Sequence, residues 1–124
     1  MTNVVNNEEV STISKTDSIT TLINVFAVEP ENQQRLVELL VEATEDLMSK
    51  IPGFISANVH KSLDGTQVVN YAQWQDGSVK SIDEILEKAK ELGGELFVNL
   101  SRKLAEITKF KPLFYKVCYI NKAC

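Results

Sequence analysis

The chain has little of what marks a disulfide scaffold, a metal centre or a nucleic-acid binder. Only two of its 124 residues are cysteine, Cys118 and Cys124, six apart. Two are too few for a disulfide framework, and the second pair that a zinc site needs is missing. A reduced, cytoplasmic setting is the resulting expectation. Histidine occurs once, as His60, and no pair of His, Cys or carboxylate residues has a ligand spacing, so no metal is expected. Neither sign of charge dominates: 13 Lys and Arg stand against 17 Asp and Glu, a net charge of -4. Electrostatics therefore gives no reason to expect a nucleic-acid or anionic-membrane partner. No apolar run approaches the ~20 residues of a membrane span. The opening MTNVVNNEEVSTISKTDS has neither the basic start nor the apolar core of a secretory signal. A Gly-rich phosphate loop, a nucleophile elbow and a catalytic triad are all lacking. The length fits one domain and excludes a two-domain enzyme.

Proline and glycine are also scarce, and they punctuate the chain. Residues 1–18, polar with scattered Val and Ile, have no sustained period and are read as a flexible arm before a domain over 19–124. TTLINVFAV, bounded by Glu29-Pro30, is rich in β-branched and aromatic residues and predicts a strand. Pro30 suits the first helical position, and Leu36, Leu40, Ala43, Leu47 and Ile51 then recur at helical spacing until Pro52-Gly53. FISANVHKSL and TQVVNYAQW flank Asp64-Gly65, which predicts a hairpin with a two-residue type I′ turn. Beyond Gly77, Ser81-x-x-Glu84 is a capping box for a second helix, which Gly93-Gly94 interrupts. Phe97, Leu100, Leu104 and Ile107 give a third helix or a kinked continuation. Pro112 is expected to end that region, leaving LFYKVCYI as the last strand.

The order is βαββαβ with an extra helix before the last strand, an α+β, ferredoxin-like arrangement with a four-stranded antiparallel sheet. Helices cover one face of such a sheet. The other face is expected to be polar in a monomer, yet the first and last strands carry apolar residues on both sides. A homodimer joined sheet to sheet is the expected cover.

With Leu63 opposite Thr66, Val59 opposes Asn70, Ala57 opposes Ala72 and Ile55 opposes Trp74. One hairpin face then carries Ile55, Ala57, Val59, Val68, Asn70, Ala72 and Trp74, and is expected to face the helices. Phe54, Ser56, Asn58, His60, Val69, Tyr71 and Gln73 occupy the other, which separates His60 from Asn70 and Trp74. Asn70 and the Trp74 indole disturb an otherwise apolar face, as does Asn24 between Leu22, Phe26 and Val28. A buried amide left unpaired costs about 1–3 kcal/mol, so each needs a partner, a water or a ligand. Either Asn70 bonds to backbone and Trp74 fills the core, or the three converge on an apolar pocket with a few placed polar groups.

The ordered segments NVFAVEPENQQRLVELLVEATE, PGFISANVHKSLDGTQVVNYAQW and KPLFYKVCYI resemble the antibiotic biosynthesis monooxygenase family over about residues 20–120. The resemblance implies a dimeric α+β barrel with a pocket in each subunit between sheet and helices. It implies a cofactor-independent monooxygenase that uses O2 on an aromatic or polyphenolic, polyketide-like molecule. Asn70 and Trp74 match that branch's third-strand pair and become the catalytic candidates, with Asn24, Val59 and Phe26 as substrate-binding candidates. The branch also carries a Tyr and an Arg on or near the second helix, where this chain has Lys80 and Gly94. A haem-degrading branch of similar fold uses a first-strand Asn, a third-strand Trp and a second-helix His. Asn24 and Trp74 match the first two, but the segment 78–92 has no histidine, and Glu84 stands near the expected place. A non-catalytic dimer that binds small hydrophobic molecules is the alternative on the same scaffold.

Overall fold

The computed structural model describes residues 9–123; residues 1–8 of the expected arm, and Cys124, lie outside them. The elements are β1 (Ile19–Val28), α1 (Gln33–Asp46), β2 (Phe54–Lys61), β3 (Gln67–Gln75), α2 (Ile82–Gly93), α3 (Glu95–Ile107) and β4 (Thr108–Tyr115). The strands form one antiparallel sheet in the order β2-β3-β1-β4, with helices on one face, which is the ferredoxin-like α+β arrangement. Among the described residues, no helix is long and apolar enough to cross a membrane.

Local chemistry accounts for the helix limits. Pro30 opens a short 3-10 turn that leads into α1, whose Leu36, Leu39, Leu40 and Ala43 are buried. Ser81 caps α2: its Oγ accepts the Glu84 N–H at 3.1 Å, while Glu84 Oε2 accepts the Lys80 N–H. Gly94, at φ 53°, separates α2 from α3, so the extra helix is distinct. Ile85, Ala89 and Leu100 seal α2 and α3 onto the core.

Three local expectations need correction. The hairpin turn is not a two-residue type I′ turn, because Asp64 lacks the positive φ that type requires. Ser62 O accepts the Gly65 N–H at 3.2 Å, and Ser62 N donates to Gln67 O, so the loop spans four residues and only Gly65 is left-handed. Asp64 Oδ1 holds this loop by accepting from the Thr66 hydroxyl and backbone and from the Ser62 hydroxyl, which keeps its carboxyl below the ordinary range. The length change is symmetric, so Val59 still opposes Asn70 and Ala57 still opposes Ala72.

At the far end of the hairpin a bulge at Ile55 pairs Phe54 with Trp74. Phe54 therefore joins the helix-facing side, and Ile55 turns outward, 47% exposed. The last strand runs from Thr108, not from beyond Pro112, and among the described residues no strand follows Tyr115. A proline that would break a central strand is tolerated here because β4 is an edge. On the open face of the sheet, part of the N-terminal segment is tied down. Ser11 Oγ donates to Asn58 Oδ1 at 2.6 Å, and Gln73 Nε2 donates to Thr12 O at 2.9 Å.

Candidate active site

A cavity follows from the order of side-chain sizes on the helix-facing side. Register sets Val68, Phe26 and Phe110 in one cross-strand row; Val59, Asn70, Asn24 and Pro112 in the next; and Ala57, Ala72, Leu22 and Phe114 in a third. Phe54 and Trp74 follow, their rings edge to face at 5.5 Å and 87°. At the other end the Phe26 and Phe110 rings lie 5.4 Å apart. Between these aromatic walls the sheet offers two alanines and two short amides. Helices resting on the larger rows cannot close onto the smaller ones, and a cavity of about 130 Å³ remains.

Leu40, Ala43, Thr44 and Met48 roof the cavity from α1 and the turn after it, Ile82, Ile85 and Leu86 from α2, and Leu104 from α3. Its most exposed lining side chains, Leu86 and Phe110, mark the rim. The space is close to the ~150 Å³ that accommodates a benzene ring in an apolar core. One aromatic ring fits inside, and a larger ligand extends toward the rim.

Polar atoms in the lining are few, and most are unpaired. Asn24 Oδ1, Asn70 Oδ1 and Trp74 Nε1 are buried with no hydrogen-bond partner, and among the described residues no other buried side-chain atom shares that state. Thr44 bonds to its own helix, donating to Leu40 O at 2.8 Å. Three orphaned groups cost about 3–9 kcal/mol at 1–3 kcal/mol each, a large part of the 5–15 kcal/mol that holds a typical domain. None of the lining side chains is ionisable.

The structure thus brings together Asn24, Phe26, Asn70 and Trp74, but not Val59. Val59 shares the Asn70 row yet packs with Phe26, Leu36, Leu40 and Val68 in the core beside the cavity. His60 is exposed on the opposite face, its Nδ1 3.0 Å from Asn58 O. Lys80 and Gly94 do not reach the lining, and Glu84 faces outward. The Lys80 N–H and the Lys88 ammonium at 3.2 Å hold the Glu84 carboxyl below its usual range. No imidazole stands in the lining, so the cavity lacks the histidine ligand on which the haem-degrading reading depends. Phe54, Met48 and Phe110 were not legible as cavity residues in the sequence; a bulge, a helix end and an early strand start place them.

Residues 19–79 match the family described as Antibiotic biosynthesis monooxygenase. Over 65 residues, 52% of this chain, the sequence is 55% identical to tetracenomycin-F1 monooxygenase of Streptomyces glaucescens, and the match spans 58% of that protein. The solved structure of a monooxygenase from the gene ActVA-Orf6 of Streptomyces coelicolor, in complex with nanaomycin D, is 26% identical. It superposes with a TM-score of 0.63 over 87% of this chain and 95% of that one. SnoaB, a cofactor-independent oxygenase from Streptomyces nogalater, is 17% identical and shares the fold, with a TM-score of 0.61 over 83% of this chain and 96% of its own. Sheet order, helix placement and the matched sequence agree: residues 19–79 carry an antibiotic biosynthesis monooxygenase domain, on the fold of that family's solved structures.

Proposed function

We propose that this chain is a monooxygenase that uses O2 to oxidise an aromatic or polyphenolic, polyketide-like molecule in the cavity, with no required cofactor. The carrying observation is the set of three unpartnered polar atoms, Asn24 Oδ1, Asn70 Oδ1 and Trp74 Nε1, on an apolar cavity. A folded core gains nothing from leaving these groups desolvated, whereas a phenolic ligand with hydroxyl and carbonyl oxygens satisfies all three. Each amide can present either end to a ligand, and the indole N–H donates only.

In the proposed reaction an activated CH2 of an anthrone becomes a carbonyl. Two C–H bonds break, one oxygen atom of O2 forms the new C=O, and the other leaves as water. The substrate loses a proton to water at the rim, its delocalised carbanion passes one electron to O2, and the radical pair collapses to a peroxide that gives up the second C–H proton as it expels hydroxide, the two leaving as water. Asn70 holds the substrate oxygen or the peroxide by hydrogen bonding. Trp74 offers its N–H and, with Phe54, fixes the plane of the bound ring. Asn24, directly opposite Asn70, holds a second oxygen. O2 uptake with a simple anthrone tests this reading. Uptake above buffer that falls in Asn70→Ala and Trp74→Phe supports it; uptake no faster than buffer, or unchanged in both variants, contradicts it.

The assembly we propose is a homodimer joined through the open sheet face. Val25, Leu113 and Tyr115 leave an exposed apolar strip on β1 and β4, beside the part tied to the N-terminal segment. A second reading, a ligand-binding dimer without turnover, is favoured by one observation: the lining holds no group able to take a proton. It predicts tight binding of aromatic compounds without O2 consumption.

A further inference from the structure

We infer that Met48 is an oxidation site: an aromatic hydroperoxide held in the cavity passes one oxygen atom to the Met48 thioether, and the resulting sulfoxide closes the cavity to further ligand. Only the origin of that peroxide rests on the oxygenase reading; the thioether and its surroundings are features of the fold.

The chain has two methionines, and among the described residues Met48 is the only one. It lies half-buried in the short turn after α1 and packs against the cluster that holds Ile51, Ala72 and Trp74. It lines the cavity, where no cysteine stands; Cys118 is exposed elsewhere. Met48 therefore supplies the one sulfur of the lining. A thioether is soft and polarizable, and oxidation turns this apolar gap-filler into a polar, chiral group. In a space that holds a single ring, a peroxide on the ring's reacting carbon has no position remote from the walls.

The same lining favours transfer to sulfur over loss of hydroxide. Hydroxide leaves to give the carbonyl only as the second C–H proton departs, and no lining side chain is able to take that proton. Transfer to sulfur needs no acceptor outside the peroxide itself. The O–O bond breaks and the distal oxygen bonds to Sδ. Sulfur gives up two electrons, the peroxide is reduced to the alcohol, and its proton moves to the oxygen left on carbon. The fold also supplies a partner for the product. Trp74 Nε1 is a buried N–H without an acceptor in this lining, and a sulfoxide oxygen is an acceptor. Bonded there, the sulfoxide occupies space that the ligand's ring would fill and takes the donor that the ligand would use.

The test exposes the full chain to cumene hydroperoxide, an aromatic hydroperoxide of one ring, and follows the gain of one oxygen at Met48 by peptide mass spectrometry. Met48 is expected to oxidise at least ~10-fold faster than methionine in a short unstructured peptide in the same solution, because the cavity concentrates the reagent beside the sulfur. 1-Naphthol, competing for the cavity, is expected to bring the rate down to that of the peptide or below. Calorimetry should then show 1-naphthol binding the oxidised protein at least ~10-fold more weakly, the size of one hydrogen bond withheld by a buried donor. In Met48→Leu the same treatment should leave that variant's affinity as it was before treatment. Oxidation no faster than in the peptide, or untouched by 1-naphthol, overturns the inference. So does an oxidised protein whose affinity is unchanged, or a loss of affinity in treated Met48→Leu. Fast oxidation that 1-naphthol suppresses, without O2 uptake from an anthrone, contradicts the oxygenase reading and leaves Met48 standing as a modification site. O2 uptake with Met48 oxidised no faster than the peptide does the reverse.

Discussion

Asn70 lies on a central strand, directly opposite Asn24, with its Oδ1 buried and unpaired. Valine at this position removes a desolvated carbonyl, adds a β-branched side chain suited to a strand, and fills space that is already empty. The orphaned group costs about 1–3 kcal/mol, so Asn70→Val is expected to stabilise the fold by that amount. For a chain of this size the melting temperature should rise by roughly 3–10 °C. Most core substitutions destabilise, which makes the sign diagnostic. Urea unfolding followed through Trp74 fluorescence and far-UV circular dichroism, at one protein concentration, measures it. The same variant should lose most of its O2 uptake. Destabilisation by 1 kcal/mol or more would refute the reasoning, because it would mean that the amide is bonded within the fold. Asn24→Val serves as a second reading of the same idea. Coupling above about 0.5 kcal/mol in the double variant would show that the two amides bond to one another.

The bulge at Ile55 makes unequal neighbours: Phe54→Ala should cost about 2–4 kcal/mol in chemical denaturation, whereas Ile55→Thr should cost under about 0.5 kcal/mol. Gly53 has φ +95°, and a Cβ there would overlap the Ser78 side chain, so Gly53→Ala is expected to lower stability by at least about 1–3 kcal/mol. Hydrogen bonds from Lys116 and Thr20, and the Lys116 charge, hold the Asp76 carboxyl below its ordinary range. Its contribution is therefore present above the unfolded-state value and lost as pH falls through the folded one. Asp76→Asn should flatten the acid limb of a stability profile and leave neutral pH comparatively flat. The proposed dimer should sediment at twice 13.9 kDa, and Val25→Lys on the open face should return the mass toward 13.9 kDa.

The fold was legible because its signals were local and mutually consistent. β-branched runs, one long amphipathic pattern, the Ser81 cap and the Asp64-Gly65 turn lead to a single topology. The Asn70–Val59 and Ala72–Ala57 pairs were also legible, since a four-residue loop of equal stagger preserves the register of a two-residue one. A single inserted residue at Ile55 was not, because the alternation of side chains gives no sign of where a strand bulges. Nor was the start of β4 legible, since Pro112 reads as a stop unless the strand is known to be an edge. The cavity residues on β1 and β3 could be named from polar interruptions in apolar faces. Those contributed by Phe54, Met48, Leu86 and Phe110 depend on how helices rest on uneven rows, which is a property of the packed structure.

Oxidation of an anthrone with isotopically labelled O2, followed by mass spectrometry of the product, bears most directly on whether the cavity is an oxygenase site. One labelled oxygen should appear in the new carbonyl and the other in water, at a rate above buffer that collapses in Asn70→Val while that variant remains folded and is at least as stable. No incorporation above buffer, or incorporation that Asn70→Val leaves untouched, would contradict the assignment of chemistry to this cavity.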